Sequence, residues 1–238
     1  MERKRIYELN ERVFDVINPE SAYWLGYLYG DGNCTCENKV RLFLAWKDRD
    51  LLFSFRNFIG SINRPIKEIT NQWGQYAGLE LRSWRIHNVI RKYELTKRKE
   101  DRGYIHPDLL QYDVAPDFIR GIFDADGGFY YDGLHKNHLF AEIAGYMPLL
   151  RSIKSVLVSN GVISEKKKIV KNGSVFRIRF AMSDTLKLVH YIYGNKPRYY
   201  LKRKYGMAKD YLYRLNDSTP VYQVKQQSIV FNNVSPAA

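Results

Sequence analysis

Residues 22–32 read AYWLGYLYGDG, and residues 117–127 read DFIRGIFDADG. They align without gaps, placing Gly26 on Gly121, Gly30 on Ala125, Asp31 on Asp126 and Gly32 on Gly127, at an offset of 95 residues. Self-similarity at such a distance marks a duplicated unit and decides the fold. The stretch downstream of each copy repeats in kind. After Gly32 come the turn-like NCTCENK, the alternating VRLFLAW, a helical stretch with Leu51, Leu52, Phe55 and Phe58 at helical spacing, and a stop at Gly60. Short strands around RPIKEIT and YAGLELR and a helix through SWRIHNVIRKY complete the unit. After Gly127 the order recurs as GFYYDG, HLFAEIAGY, the helix PLLRSIKSVLVSNG stopping at Gly161, strands EKKKIV and VFRIRFA, and the helix SDTLKLVHYIY.

Each half therefore reads α-β-β-α-β-β-α. The expected division is residues 1–107 for the first half, 108–214 for the second and 215–238 for a tail. Residues 94–116 join the halves, with Pro107 and Pro116 interrupting any continuous helix. In the tail only VYQVKQQSIVF reads as a strand, and it repeats nothing upstream.

Both opening segments are apolar helices with small residues four apart on one face, so two such backbones can approach closely. Each ends in Asp-Gly, and the glycine is expected to let the chain leave the helix through a left-handed conformation. Helices packed through their small faces deliver Asp31 and Asp126 together, at helix ends that are already partly negative. A divalent cation is the natural compensation. A solvated C-cap is the plain alternative for one copy and a poorer one for two. Reading IFDADGG as a phosphatase nucleophile loop requires a preceding strand and downstream helix–strand alternation that are missing. A calcium loop starting at Asp124 fails because its fifth and sixth positions are Gly128 and Phe129.

The composition narrows the classes. The 238 residues include 38 Lys+Arg against 25 Asp+Glu, a net charge of +13, and they are 45% hydrophobic, enough to bury a core. That excess of positive charge suits a polyanionic partner. No run reaches a membrane span, and the mixed-charge start argues against a signal or transit peptide, so a cytoplasmic or organellar-matrix location is expected. Cys34 and Cys36 sit two apart on a predicted strand, a poor geometry for a mutual disulfide and no zinc site.

The paired segments resemble the signature of the LAGLIDADG homing endonucleases in the single-chain, two-motif form. The second copy keeps Asp-Ala-Asp-Gly; the first has Tyr29 and Gly30 where the family has Asp and Ala, yet retains Asp31. The resemblance in element order covers residues 20–213. It implies an α+β fold of two pseudo-symmetric αββαββα halves, packed through the motif helices, each laying a saddle-shaped antiparallel sheet in the major groove. It implies a monomeric, Mg²⁺-dependent enzyme, with Mn²⁺ able to substitute, that cuts both strands of a long DNA site. Asp31 and Asp126 are the implied catalytic metal ligands, with Gly30 and Ala125 beside them as metal-site positions. A basic residue near each scissile phosphate is also implied, which points to Lys97 or Lys99 in LTKRKED and Lys202 or Lys204 in YLKRKYG; Lys97, Lys202 and Lys204 are the working candidates. No His or Ser nucleophile is needed, and the five histidines read as surface or packing residues.

Strand parity supplies the groove-facing set. In VFRIRFA, Arg177 and Arg179 oppose the apolar face, and Arg can pair with guanine. Lys67, Lys166 and Lys168, Arg41, Glu80 and Arg82, Asn33 and Thr35, and Tyr130, Asp132 and His138 are similarly placed. Lys47, at the turn in AWKDRD, is a further DNA-binding or water-network candidate, with its counterpart near Gly145. Because these residues differ between halves, the target is expected to be asymmetric. The chief rival is an intron maturase or other nucleic-acid-binding protein on the same scaffold, with intron RNA as a partner. An intein context is not expected, since the chain starts with Met and ends VSPAA.

Overall fold

The computed structural model describes residues 6–34, 38–131, 138–194 and 196–217. Thr35, Asp132, the second cysteine at Cys36, His135 and the tail strand lie outside them. The first half runs α1 (Pro19–Asp31), β1 (Gly32–Asn33), β2 (Lys39–Ala45), α2 (Asp50–Phe58), β3 (Lys67–Asn71), β4 (Gly74–Arg82) and α3 (Trp84–Lys92). The second runs α4 (Ala115–Asp126), β5 (Gly127–Tyr131), β6 (Leu139–Gly145), α5 (Met147–Ser159), β7 (Ile169–Asn172), β8 (Val175–Phe180) and α6 (Ser183–Tyr193), and a further helix, α7 (Lys202–Asp217), comes after it. The halves thus form two four-stranded antiparallel sheets of matching order, β1-β2-β4-β3 and β5-β6-β8-β7.

In each sheet one face is apolar and the other polar, as period-two alternation demands. Val40, Leu42 and Leu44 of β2 and Ala77, Leu79 and Leu81 of β4 are buried, and Ala141, Ile143, Ile178 and Phe180 do the same in the second half. These faces pack on the helices in one continuous core. α1 is buried along its whole length from Ser21 to Gly30, which fits a helix apolar all round. Its start is fixed by a capping box between Asn18 and Ser21, with Pro19 in the first turn.

Three details depart from the sequence reading. The strand expected over EKKKIV begins only at Ile169, leaving Lys166 and Lys168 exposed in the preceding turn. Among the described residues α7 has no counterpart in the first half; it packs on β5 and α6, buries Ala208 and Tyr211, and carries the chain past residue 214. Gly32 and Gly127 are extended, with φ of −74° and −104°, rather than left-handed. Space explains these glycines: a Cβ on Gly32 would lie 2.5 Å from the Leu28 carbonyl oxygen, and one on Gly127 2.6 Å from the Phe123 ring. Among the described residues no helix is long and apolar enough to cross a membrane. His87 is buried edge-on to Trp84, and His106 caps the 3₁₀ turn Pro107–Leu109, both packing or capping roles.

Candidate nuclease centre and nucleic-acid interface

α1 and α4 touch backbone to backbone. A Cβ on Gly26 would stand 2.1 Å from the Phe118 carbonyl oxygen, and one on Gly121 2.1 Å from that of Tyr23. One turn later the seam continues, with a Cβ on Gly30 falling 2.3 Å from Ala125 Cβ and 3.1 Å from Asp126 Oδ2. Gly30 and Ala125 are therefore seam residues, and the aspartates next in the chain leave the helix pair side by side. The crowding has an electrostatic signature: Asp31 keeps an exposed edge, yet the protein packed around its carboxyl and the neighbouring Asp126 carboxylate raise its pKa, while Lys99, Lys204 and a hydrogen bond with Tyr27 oppose the rise.

The lysine candidates separate sharply. Lys99, from the 3₁₀ turn Lys99–Asp101, places Nζ 3.1 and 3.3 Å from the two Asp126 oxygens. Lys97 pairs instead with Glu94 at 2.6 Å, and Lys202 with Asp50 at 2.7 Å, both exposed. Lys204 is almost fully buried, donating to the carbonyls of Phe123 and Asp124 at 2.7 Å and of Gly127 at 2.6 Å. Burial pushes its pKa down to about 8 against the pull of Asp124 and other acids. A cation over the last carbonyls of α4 satisfies groups that a helix end otherwise orphans. Arg102 has the same task on α1, donating to the Tyr29 carbonyl at 2.5 Å and also to Leu95 and Lys97.

Asp124, whose place as a partner hub the sequence did not reveal, is wholly buried. It accepts from the hydroxyls of Tyr23 and Tyr193 at 3.0 Å and from the Leu201 amide at 2.8 Å. Burial raises its pKa. It thereby ties both halves to the start of α7 and so positions Lys204. Across the halves, Arg203 bonds Asp48 at 2.9 Å, and Arg198 pairs with Glu20. Among the described residues no group of three or more His, Cys, Asp or Glu could hold a metal.

The outward sheet faces carry the expected charged residues, but in a tethered arrangement. Arg41 Nε bonds Glu80 at 2.8 Å, with Arg82 3.7 Å from the same carboxylate. In the second half Glu142 holds Arg177 at 2.5 Å and Arg179 at 3.6 Å. Strand register makes Arg41 equivalent to Glu142 and Glu80 to Arg179, so the acid and base have exchanged strands between halves. Glu80 is thus an arginine anchor. Lys47, two residues past β2, is exposed and lines a cavity of about 180 Å³ with Asp48, Asp50 and Lys202. Asn33 and Lys67 are exposed on the first sheet, Tyr130 stacks on Phe140 at 5.8 Å, and His138 precedes β6.

Similar architectures occur among solved structures. I-SmaMI bound to an uncleaved DNA target in the presence of calcium ions superposes with a TM-score of 0.56 at 15% identity, covering 86% of this chain and 95% of that one. The homing endonuclease I-WcaI bound to its DNA recognition sequence gives 0.53 at 13% identity, over 80% and 88%. The chain has the homing-endonuclease fold. Full-length DUF199/WhiA from Thermatoga maritima is also similar, with a TM-score of 0.52 at 14% identity over 93% of this chain and 69% of that one. Among curated proteins, the replication factor C small subunit of Methanocaldococcus jannaschii is 25% identical over 174 residues, 72% of this chain. The chain spans only 9% of that relative's length. No protein-family model matches.

Proposed function

We propose that the chain is a site-specific, double-strand DNA endonuclease of the LAGLIDADG type that acts as a monomer on a long asymmetric site with a divalent metal. The observation that carries this reading is the seam: two motif helices in backbone contact end in neighbouring carboxylates, and each leads directly into a sheet whose outer face is basic.

The donor set fits a hard cation. Asp31 and Asp126 offer carboxylate oxygens at neighbouring helix ends, and the Lys99 ammonium 3.1 Å from Asp126 is positive charge drawn to the same place. Mg²⁺ is bound in this way, by few carboxylates with water and phosphate completing the shell, and Mn²⁺ would substitute. When bound, the metal supplies an activated water and a counter-charge for the leaving oxygen. Asp31 and Asp126, one from each half, would hold it. Lys99 places its ammonium where charge accumulates on the phosphate. Lys204 and Arg102 set the helix ends from which the carboxylates project. The tethered arginines and Lys67 face the duplex, some of them fixing register on phosphates rather than reading bases.

A plasmid library with randomised inserts, incubated with the protein and Mg²⁺ and sequenced at the new ends, tests the proposal. Discrete cut sites are expected, lost in Asp31→Asn and Asp126→Asn while binding persists. Wild-type cleavage by both variants refutes the assignment. A protein that never cuts but is required for splicing of a cognate intron RNA would instead be a maturase.

A further inference from the structure

The outer face of the first sheet holds an apolar patch that the ion pairs do not account for. Phe43 is 40% exposed and Ile69 36%, although strand parity puts both on the polar side. Phe43 is seated deliberately: its cross-strand neighbour is Gly78, where a Cβ would meet the Phe43 ring at 2.2 Å. The glycine therefore exists on this strand so that the ring can lie down across the sheet. One register step along, Ala45, Tyr76 and Ile69 form the next row. Arg41 and Arg82 border the patch on one side, and Lys67 pairs with Gly78 on the other.

The second sheet is built differently at matched positions. Where the first has Phe43, Gly78 and Lys67, the second has Ala144, Arg177 and Val170. A ring over a glycine has been exchanged for a guanidinium beside an alanine. The major groove offers one apolar group on its floor, the thymine C5-methyl, whereas guanine offers the two acceptors that suit arginine. Cations around the patch match the phosphates that would flank such a contact.

We infer that Phe43, supported by Ile69, reads thymine methyl groups in the half-site bound by the first sheet, a ring contact that Ala144 and Arg177 do not offer at the matched position of the second. This rests on the proposed DNA-binding function. The test separates the two. Duplexes enriched by binding from a random pool without divalent metal are resynthesised with each thymine replaced singly by uracil, which removes only the methyl. At one or two positions of one half-site, uracil should weaken binding roughly fourfold, the transfer value of one buried methyl group. Phe43→Ala should erase that difference, and Phe43→Leu, which preserves an apolar cover, should retain part of it; a circular-dichroism melt checks that each variant folds. Uracil without effect in the wild type, or an effect unchanged in both variants, overturns the inference while leaving DNA binding intact. A pool with no enriched duplex overturns the DNA-binding reading and this inference with it. Loss of self-association in Phe43→Ala, with uracil and thymine duplexes bound alike, would show a protein contact instead and overturn it too.

Discussion

Gly30→Ala adds one methyl group at the end of the helix seam, and the structure says how badly it fits. The new Cβ would lie 2.3 Å from Ala125 Cβ, about 1 Å inside ordinary contact. Alanine is better than glycine in a helix by about 1 kcal/mol, less near a helix end. Overpacking of this kind costs about 1–3 kcal/mol, so a net destabilisation of about 1–2 kcal/mol is expected. Ala125→Gly alone loses a similar amount, through propensity and a methyl-sized gap. In the double variant the propensities cancel and the Ala125 clash disappears, leaving only the Asp126 Oδ2, at 3.1 Å, to shift by a few tenths of an ångström. Its stability should return to within about 0.5 kcal/mol of wild type, a favourable coupling of about 1.5–3 kcal/mol. Urea unfolding followed by circular dichroism measures all four proteins. If the double variant is as unstable as the summed singles, the seam is not built as described. Gly26→Ala is the contrasting case: its Cβ would strike the Phe118 carbonyl at 2.1 Å, so no side-chain change opposite can rescue it.

Lys99→Met should leave stability within about 1 kcal/mol, since the pair is partly exposed, yet slow cleavage in Mg²⁺ by roughly 10²-fold. Lys204→Met should do the reverse first, unfolding at lower urea by about 2–4 kcal/mol because three carbonyls lose a charged donor; equal stability in the two variants would contradict the geometry. Asp31 has a native pKa raised above its ordinary 3.8. The folded state then holds that proton longer than the unfolded state, so the group's contribution to stability falls as pH rises from about 3.8 through the native value. Asp31→Asn should therefore be more stable than wild type at pH 7 in metal-free buffer, with the gap closing on acidification; a thermal melt series that shows no gap refutes the crowding. DNA affinity should drop with salt at a log–log slope of about 0.9 per phosphate neutralised, and Lys67→Ala should lower that slope by about 1 if Lys67 touches phosphate.

The repeat around Asp31 and Asp126 exposed the element order because two periodicities, helical then alternating, recur after each copy. It could not expose α7, which has no first-half twin among the described residues. Nor could it choose among lysines: LTKRKED and YLKRKYG share their core letters, and the difference lies in the residues after them. Asp-Arg-Gly holds Lys99 in a short turn facing Asp126, whereas the helix-forming residues after Lys204 carry it beneath α4. Asp124 looked like a motif letter because its partners Tyr23, Tyr193 and Leu201 come from three distant segments. The exchange of Arg41 and Glu80 for Glu142 and Arg179 emerges only once register is known. Thr35 and Asp132 fall outside the described residues.

The seam between α1 and α4 also sets a ruler. Where Gly26 and Gly121 meet, no side chain lies between the backbones to tilt, repack or yield, so the two halves are joined by a stiff contact. If the chain binds DNA as proposed, the gap between the two half-sites is then measured in rigid units. One extra base pair at the centre shifts the far half-site by about 3.4 Å and turns it by about 35°. A jointed protein could follow that screw motion; a glycine weld cannot, and the DNA alone would have to deform.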